Sequence, residues 1–159
     1  MEIIHKCFAL SSTFRHCGGW LGGPNGMIRY QGIYHVFWWG HAESEDLVFW
    51  NERPYPMVGD DGSFIYFSGS VVVDENNTTG FARGDQVPMV AFYTLHERGT
   101  KHETQGISIN NDYTTFTYYE NNPLLDAEEE MFRDPRVFFH EESNRAKCPP
   151  STALSQHRT

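Results

Sequence analysis

Arg133 and Asp134, followed by Pro135, set a guanidinium next to a carboxylate. A carboxylate accepts from two neighbouring hydroxyls and a guanidinium donates as a rigid fork, so the pair suits a hydroxyl-rich ligand. Standing alone, the tripeptide reads as a surface ion pair closing a turn. Phe67 and Ser68, an apolar ring beside a hydroxyl, read as an ordinary hairpin strand with a packed Phe. Trp39 reads as a buried sheet residue. His41 reads as a hydrogen-bonded structural histidine, Asp46 as a turn cap, Trp50 as packing, and Glu128-Glu129-Glu130 as a solvated face. Cys7, Cys17 and Cys148 are scattered, with no CxxC pair, so neither a disulfide framework nor a metal site is expected.

Positioning these residues falls to short strands. Four Trp, eight Tyr and twelve Phe, with 14 Gly and 8 Pro, suit pleated sheet and tight turns. Strands are predicted over Met27 to Tyr30, Ile33 to Trp38, Phe64 to Val73, Met89 to Leu95, Gly106 to Ile109, Phe116 to Tyr119 and Arg136 to Phe139. Turn signals separate them, among them Asn76-Asn77, Arg83-Gly84-Asp85, Arg98-Gly99 and Asn121-Asn122-Pro123. The class is all-β, and periodicity alone leaves sandwich, barrel and propeller open. Residues 1–19 offer no recognisable element, 20–140 hold the ordered domain, and the Pro-containing tail 141–159 is expected to be disordered. A net charge of −9 argues against nucleic acid as a partner. Apolar runs such as Val71 to Val73 fall far short of the roughly 20 residues that cross a membrane. No signal peptide is visible, and the compartment stays open.

Four segments, in order, resemble glycoside hydrolase family 32, the invertases, inulinases and levanases that cleave β-fructosides. They are Gly19-Trp20-Leu21-Gly22-Gly23-Pro24-Asn25-Gly26, Trp39-Gly40-His41-Ala42 with the following Ser44-Glu45-Asp46-Leu47 and Trp50, Phe67-Ser68-Gly69-Ser70, and Phe132-Arg133-Asp134-Pro135. The resemblance implies a five-bladed β-propeller with its site in the central funnel, of which this chain would hold roughly the first two to three blades as an incomplete ring. An open ring leaves strand edges and an apolar blade face, so self-association is expected. The resemblance assigns Arg133 and Asp134 to fructose hydroxyls and the oxocarbenium-like transition state, and Trp39, Phe67 and Ser68 to the walls of the fructose pocket. The expected partner is sucrose or a fructose-containing oligosaccharide, bound weakly, and no cofactor is expected.

Three departures from the family pattern matter. Its nucleophile is the Asp of an Asn-Asp-Pro-Asn-Gly motif, and Gly23 stands in that position. Glycine cannot form a glycosyl-enzyme intermediate, and retaining hydrolysis needs two carboxyl groups about 5–5.5 Å apart. The acid/base Glu of a downstream Glu-Cys motif is not found in this sequence. A Gln-Tyr-Asn-Pro segment is missing between Val36-Phe37 and Trp38-Trp39, which is expected to disturb the pairing register there. Hydrolysis is therefore expected to be lost or severely impaired. A non-catalytic fructoside-binding module and a truncated gene product without independent activity are the alternatives.

Overall fold

A computed structural model describes residues 6–7, 23–38, 40–58, 62–143 and 145–148. The first sheet is built from β1 (Lys6–Cys7), β2 (Asn25–Tyr30), β3 (Ile33–Phe37), β4 (His41–Ser44) and β5 (Trp50–Arg53), in the spatial order β1-β5-β4-β3-β2. All its pairs are antiparallel, and β2 to β5 form a meander in chain order. Its first hairpin closes on Gln31 and Gly32, with φ of 48° and 88°. Two positive φ values in a two-residue loop match the right-handed twist of the flanking strands.

The second sheet contains β6 (Met57–Val58), β7 (Phe64–Val73), β8 (Met89–Glu97), β9 (Glu103–Asn110) and β10 (Phe116–Tyr118), ordered β6-β10-β9-β8-β7. Strands β7 to β10 repeat the antiparallel meander, and β6 joins β10 in parallel. A third, two-stranded sheet pairs β11 (Phe138–His140) with β12 (Arg145–Lys147) across a 3-10 turn at Glu141–Ser143.

The two large sheets meet along β2 and β7. A Cβ on Gly26 would lie 2.9 Å from Val71 Cγ2, and Gly26 has a φ of +59°, so this approach requires glycine. Between the sheets Phe37, Met89, Ala91, Tyr93, Leu95 and Phe116 form one buried cluster, with Phe37 edge-on to Phe116 at 5.5 Å. Val36, Ala42 and Trp50 pack on the opposite face of the first sheet. Alternation along β3 sends Val36 and Phe37 to these two faces.

The all-β expectation holds, and the predicted strand over Phe64 to Val73 coincides with β7. Two expectations need correction. Strand β3 pairs with β4 without a break, Tyr34 with Ser44 through Phe37 with His41, so no disturbance of the pairing is seen within this hairpin. A tight connection in which the Trp38 N–H donates to the Gly40 carbonyl at 3.1 Å closes this hairpin. Strand structure also reaches beyond 20–140. Lys6–Cys7 pair with Asn51 and Trp50, and Arg145–Lys147, in the tail expected to be disordered, pair with β11. Backbone hydrogen bonding of short edge strands needs no apolar run, so composition does not reveal it.

Candidate functional site

A cavity of about 460 Å³ opens beside the junction of the two large sheets, lined by residues that include Gly23, Asn25, Tyr66, Phe67, Ser68, Arg133 and Asp134. Five of the six site residues predicted from sequence meet here, from three separate segments. The sixth, Trp39, lies outside the described residues.

A bulge in β7 turns Phe67 and Ser68 to the cavity together. Phe67 pairs with Thr94 and Gly69 with Tyr93, so Ser68 is the additional residue. Neighbouring residues of a regular strand point to opposite faces, and a bulge re-aims one of them. The bulge depends on Gly69, where a Cβ would lie 1.8 Å from the Phe92 carbonyl oxygen. Next along the strand, the Ser70 hydroxyl donates to the Pro135 carbonyl at 2.9 Å and accepts the Val137 N–H at 2.9 Å. This serine ties the Arg-Asp-Pro segment to β7.

The same segment is anchored on β8 and β9. The Asp134 N–H donates to Thr94 Oγ1 at 2.9 Å, and Gln105 Nε2 donates to the Phe132 carbonyl at 2.5 Å. These bonds hold Asp134 at a φ of 58°. A left-handed conformation is more accessible to Asp than to most residues. Among the described residues the Asp134 carboxylate accepts no hydrogen bond, and the residue is exposed at the cavity. Its acceptor capacity is free for a ligand.

Arg133 is held differently. Its Nε and Nη2 donate to the two oxygens of Glu103, at 2.9 and 2.6 Å. Glu103 is only 3% exposed, and its Oε1 also accepts from His96 Nδ1 at 3.1 Å. The Phe67 ring stacks on His96 at 4.7 Å, and the Arg133 guanidinium lies over that ring at 5.6 Å. One edge of the Arg133 fork is therefore committed to Glu103, and the opposite edge remains for the cavity. Sequence inspection did not single out Glu103 or His96. Their only signal is a carboxylate and an imidazole on facing strands, with the third member thirty residues away.

Asp46 closes its turn by accepting the N–H groups of Val48 and Phe49, both at 2.8 Å, which lowers its pKa. Trp50 is buried and Glu128 to Glu130 are exposed, as expected. His41 Nε2 lies 3.1 Å from His35 Nδ1, consistent with a structural histidine.

The model of the glycosyl hydrolases family 32 N-terminal domain matches residues 14–148. Levanase of Bacillus subtilis is 41% identical over 141 residues, covering 79% of this chain and 20% of that protein. The β-fructofuranosidase of Schwanniomyces occidentalis, solved with fructosyl-erythritol, superposes with a TM-score of 0.78 at 36% identity, over 87% of this chain and 30% of that one. The exo-inulinase of Aspergillus awamori gives a TM-score of 0.75 at 35% identity, over 84% and 33%. The chain thus spans between a fifth and a third of the length of these relatives. With this match over most of its residues and two matching solved structures, the chain belongs to glycoside hydrolase family 32.

Proposed function

We propose that this chain is the fructosyl-binding part of a β-fructosidase fold in which the covalent route of hydrolysis is closed. The observation that carries this reading is the makeup of the cavity. Asp134 offers an unengaged carboxylate, Arg133 a free guanidinium edge, Phe67 an apolar ring and Ser68 a hydroxyl, while position 23 supplies no side chain. Among the described residues lining the cavity Asp134 is the one carboxylic acid. It cannot be at once nucleophile, proton donor and ligand for sugar hydroxyls, and retaining cleavage needs a pair.

Support for a fructose-containing ligand comes from the Schwanniomyces enzyme, whose structure carries fructosyl-erythritol. Each four-stranded meander is read as one blade of a five-bladed propeller, with β2 and β7 as the innermost strands beside the funnel and β11–β12 as the start of a third blade. The side-by-side placement of β2 and β7 supports this, since innermost strands of adjacent blades must converge.

Calorimetric titration of the full chain with fructose and with sucrose tests the proposal. Saturable heat with a dissociation constant in the millimolar range is expected, corresponding to about 4 kcal/mol. Asp134→Asn keeps the side-chain shape and tolerates the left-handed backbone, and is expected to abolish the heat. Incubation with sucrose is expected to release no fructose. No detectable heat at millimolar sugar would overturn the binding reading, and turnover would overturn the closed covalent route.

A further inference from the structure

Three side chains that the cavity does not use converge on the hairpin of β3 and β4. His35 faces Glu43 across the strand pair and His41 lies diagonally from both, so all three share one face. His35 Nδ1 and His41 Nε2 are 3.1 Å apart, and Glu43 Oε1 is 3.6 Å from the first and 3.9 Å from the second. The two imidazoles are 5% and 1% exposed and the carboxylate 13%.

We propose that His35, His41 and Glu43 form a divalent transition-metal site, best suited to Zn²⁺. The donor set, two imidazole nitrogens and one carboxylate oxygen, is a set zinc takes with an open fourth position. Zinc bonds to nitrogen and oxygen of about 2.0–2.1 Å, arranged tetrahedrally, put neighbouring ligand atoms about 3.3 Å apart. The three separations already bracket that value, so an ion is gripped with shifts of a few tenths of an ångström.

Hydrogen bonding within the trio leaves a remainder. One ring proton satisfies the contact between the two imidazoles, and Glu43 Oε1 then stands beyond hydrogen-bond reach of both nitrogens. The one proton between the two nitrogens leaves Glu43 Oε1 beside them without a hydrogen-bond donor from either ring, an arrangement that a cation in place of that proton resolves. His41 Nδ1 is buried without a hydrogen-bond partner. That is the nitrogen left to carry the proton when Nε2 binds metal. The other carboxylate oxygen of Glu43 is held by Arg53 Nη2 at 2.5 Å and Nε at 2.7 Å, which fixes the orientation of Oε1 as an outer-shell partner does. Both rings are buried, at 5% and 1% exposed, which disfavours their protonated form and leaves neutral imidazoles able to ligate. Phe37 stacks on His41 at 4.4 Å and separates the trio from the sugar cavity, so the ion would brace the hairpin rather than contact a ligand there.

The test uses the full chain with Cys7, Cys17 and Cys148 replaced by serine, which removes thiolate ligands. Titration with Zn²⁺ is expected to show one tightly bound equivalent. Zinc-edge X-ray absorption is expected to report two imidazoles and oxygen donors at about 2.0–2.2 Å. His35→Gln should abolish that equivalent, and Glu43→Gln, at a partly accessible position, should weaken it at least about tenfold. Should the His35 variant fail to fold, the Glu43 variant decides. Absence of a saturable equivalent, or affinity unchanged within twofold in Glu43→Gln, overturns the proposal.

Discussion

Gly23 has open space around it, since a Cβ built there meets no atom within 4 Å. Gly23→Asp should therefore fold with a stability change within about 0.5 kcal/mol, read from the urea midpoint. The added carboxylate would stand in a cavity whose other acid, Asp134, is proposed to bind hydroxyls. We expect no fructose release from sucrose by this variant, since among the described residues lining the cavity Asp134 would be the one other acid, and retaining cleavage needs a nucleophile and a proton donor besides the hydroxyl ligand. Release above the parent chain would contradict this. Glu103 makes a complementary case. Removing it strands a half-buried guanidinium and an imidazole, so Glu103→Ala should lower unfolding free energy by about 2–3 kcal/mol, less than for a fully buried pair because Arg133 is 35% exposed. Glu103→Gln, which keeps one acceptor but no charge, should lose less, and equal losses would show that the charge rather than the remaining acceptor holds Arg133.

Among the elements, the turn after β7 carries a testable pH signature. Asp74 is buried, and desolvation opposes its ionisation. Hydrogen bonds from the hydroxyl and N–H of both Thr79 and Thr78 outweigh that, and the carboxyl pKa is lowered. A carboxylate depressed in the fold contributes stability above its unfolded pKa and loses it as pH falls through the folded value. Asp74→Ala should thus cost about 2–3 kcal/mol near pH 6, with the gap between variant and parent closing as pH drops below about 4, measured by urea unfolding. A gap independent of pH would assign the cost to packing instead. The same elements show what sequence can reveal. Strand β7 is legible because aromatic and β-branched residues on either side of Ser68-Gly69-Ser70 fill the stretch between turn signals. Strands β4 and β5 read His-Ala-Glu-Ser and Trp-Asn-Glu-Arg and escape notice, because His41 and Ser44 are buried by cross-strand and turn hydrogen bonds that hydrophobic periodicity cannot register. Within the site, Arg133 and Asp134 are legible through their motif, whereas Glu103 becomes a site residue only once β9 lies beside the Arg-Asp-Pro segment. The short connection between β3 and β4 does not interrupt their pairing, because alternation of the two strand faces specifies a register once a tight connection closes.

At the scale of the whole molecule, the third sheet is the element proposed to drive self-association. It consists of two three-residue strands, and Phe138 and Phe139, adjacent on β11 and so directed to opposite faces, are each 43% exposed. A two-stranded sheet is marginal in water, and here the neighbouring residues that tie it down lie upstream, where Ser70 bonds Pro135 and Val137. Exposed aromatic side chains beside unpaired strand edges favour pairing with another copy of the same chain. Sedimentation velocity across a hundredfold range of concentration should therefore show weight-average mass rising with concentration. Replacing both Phe138 and Phe139 by serine should return the chain to the monomer mass with little loss of stability, since neither ring is buried. A parent chain that remains monomeric throughout that range would show that β11 and β12 shield their own edge. Association unchanged in the double variant would move the sticky surface elsewhere, to the exposed Leu47, Val48 and Phe49 between β4 and β5.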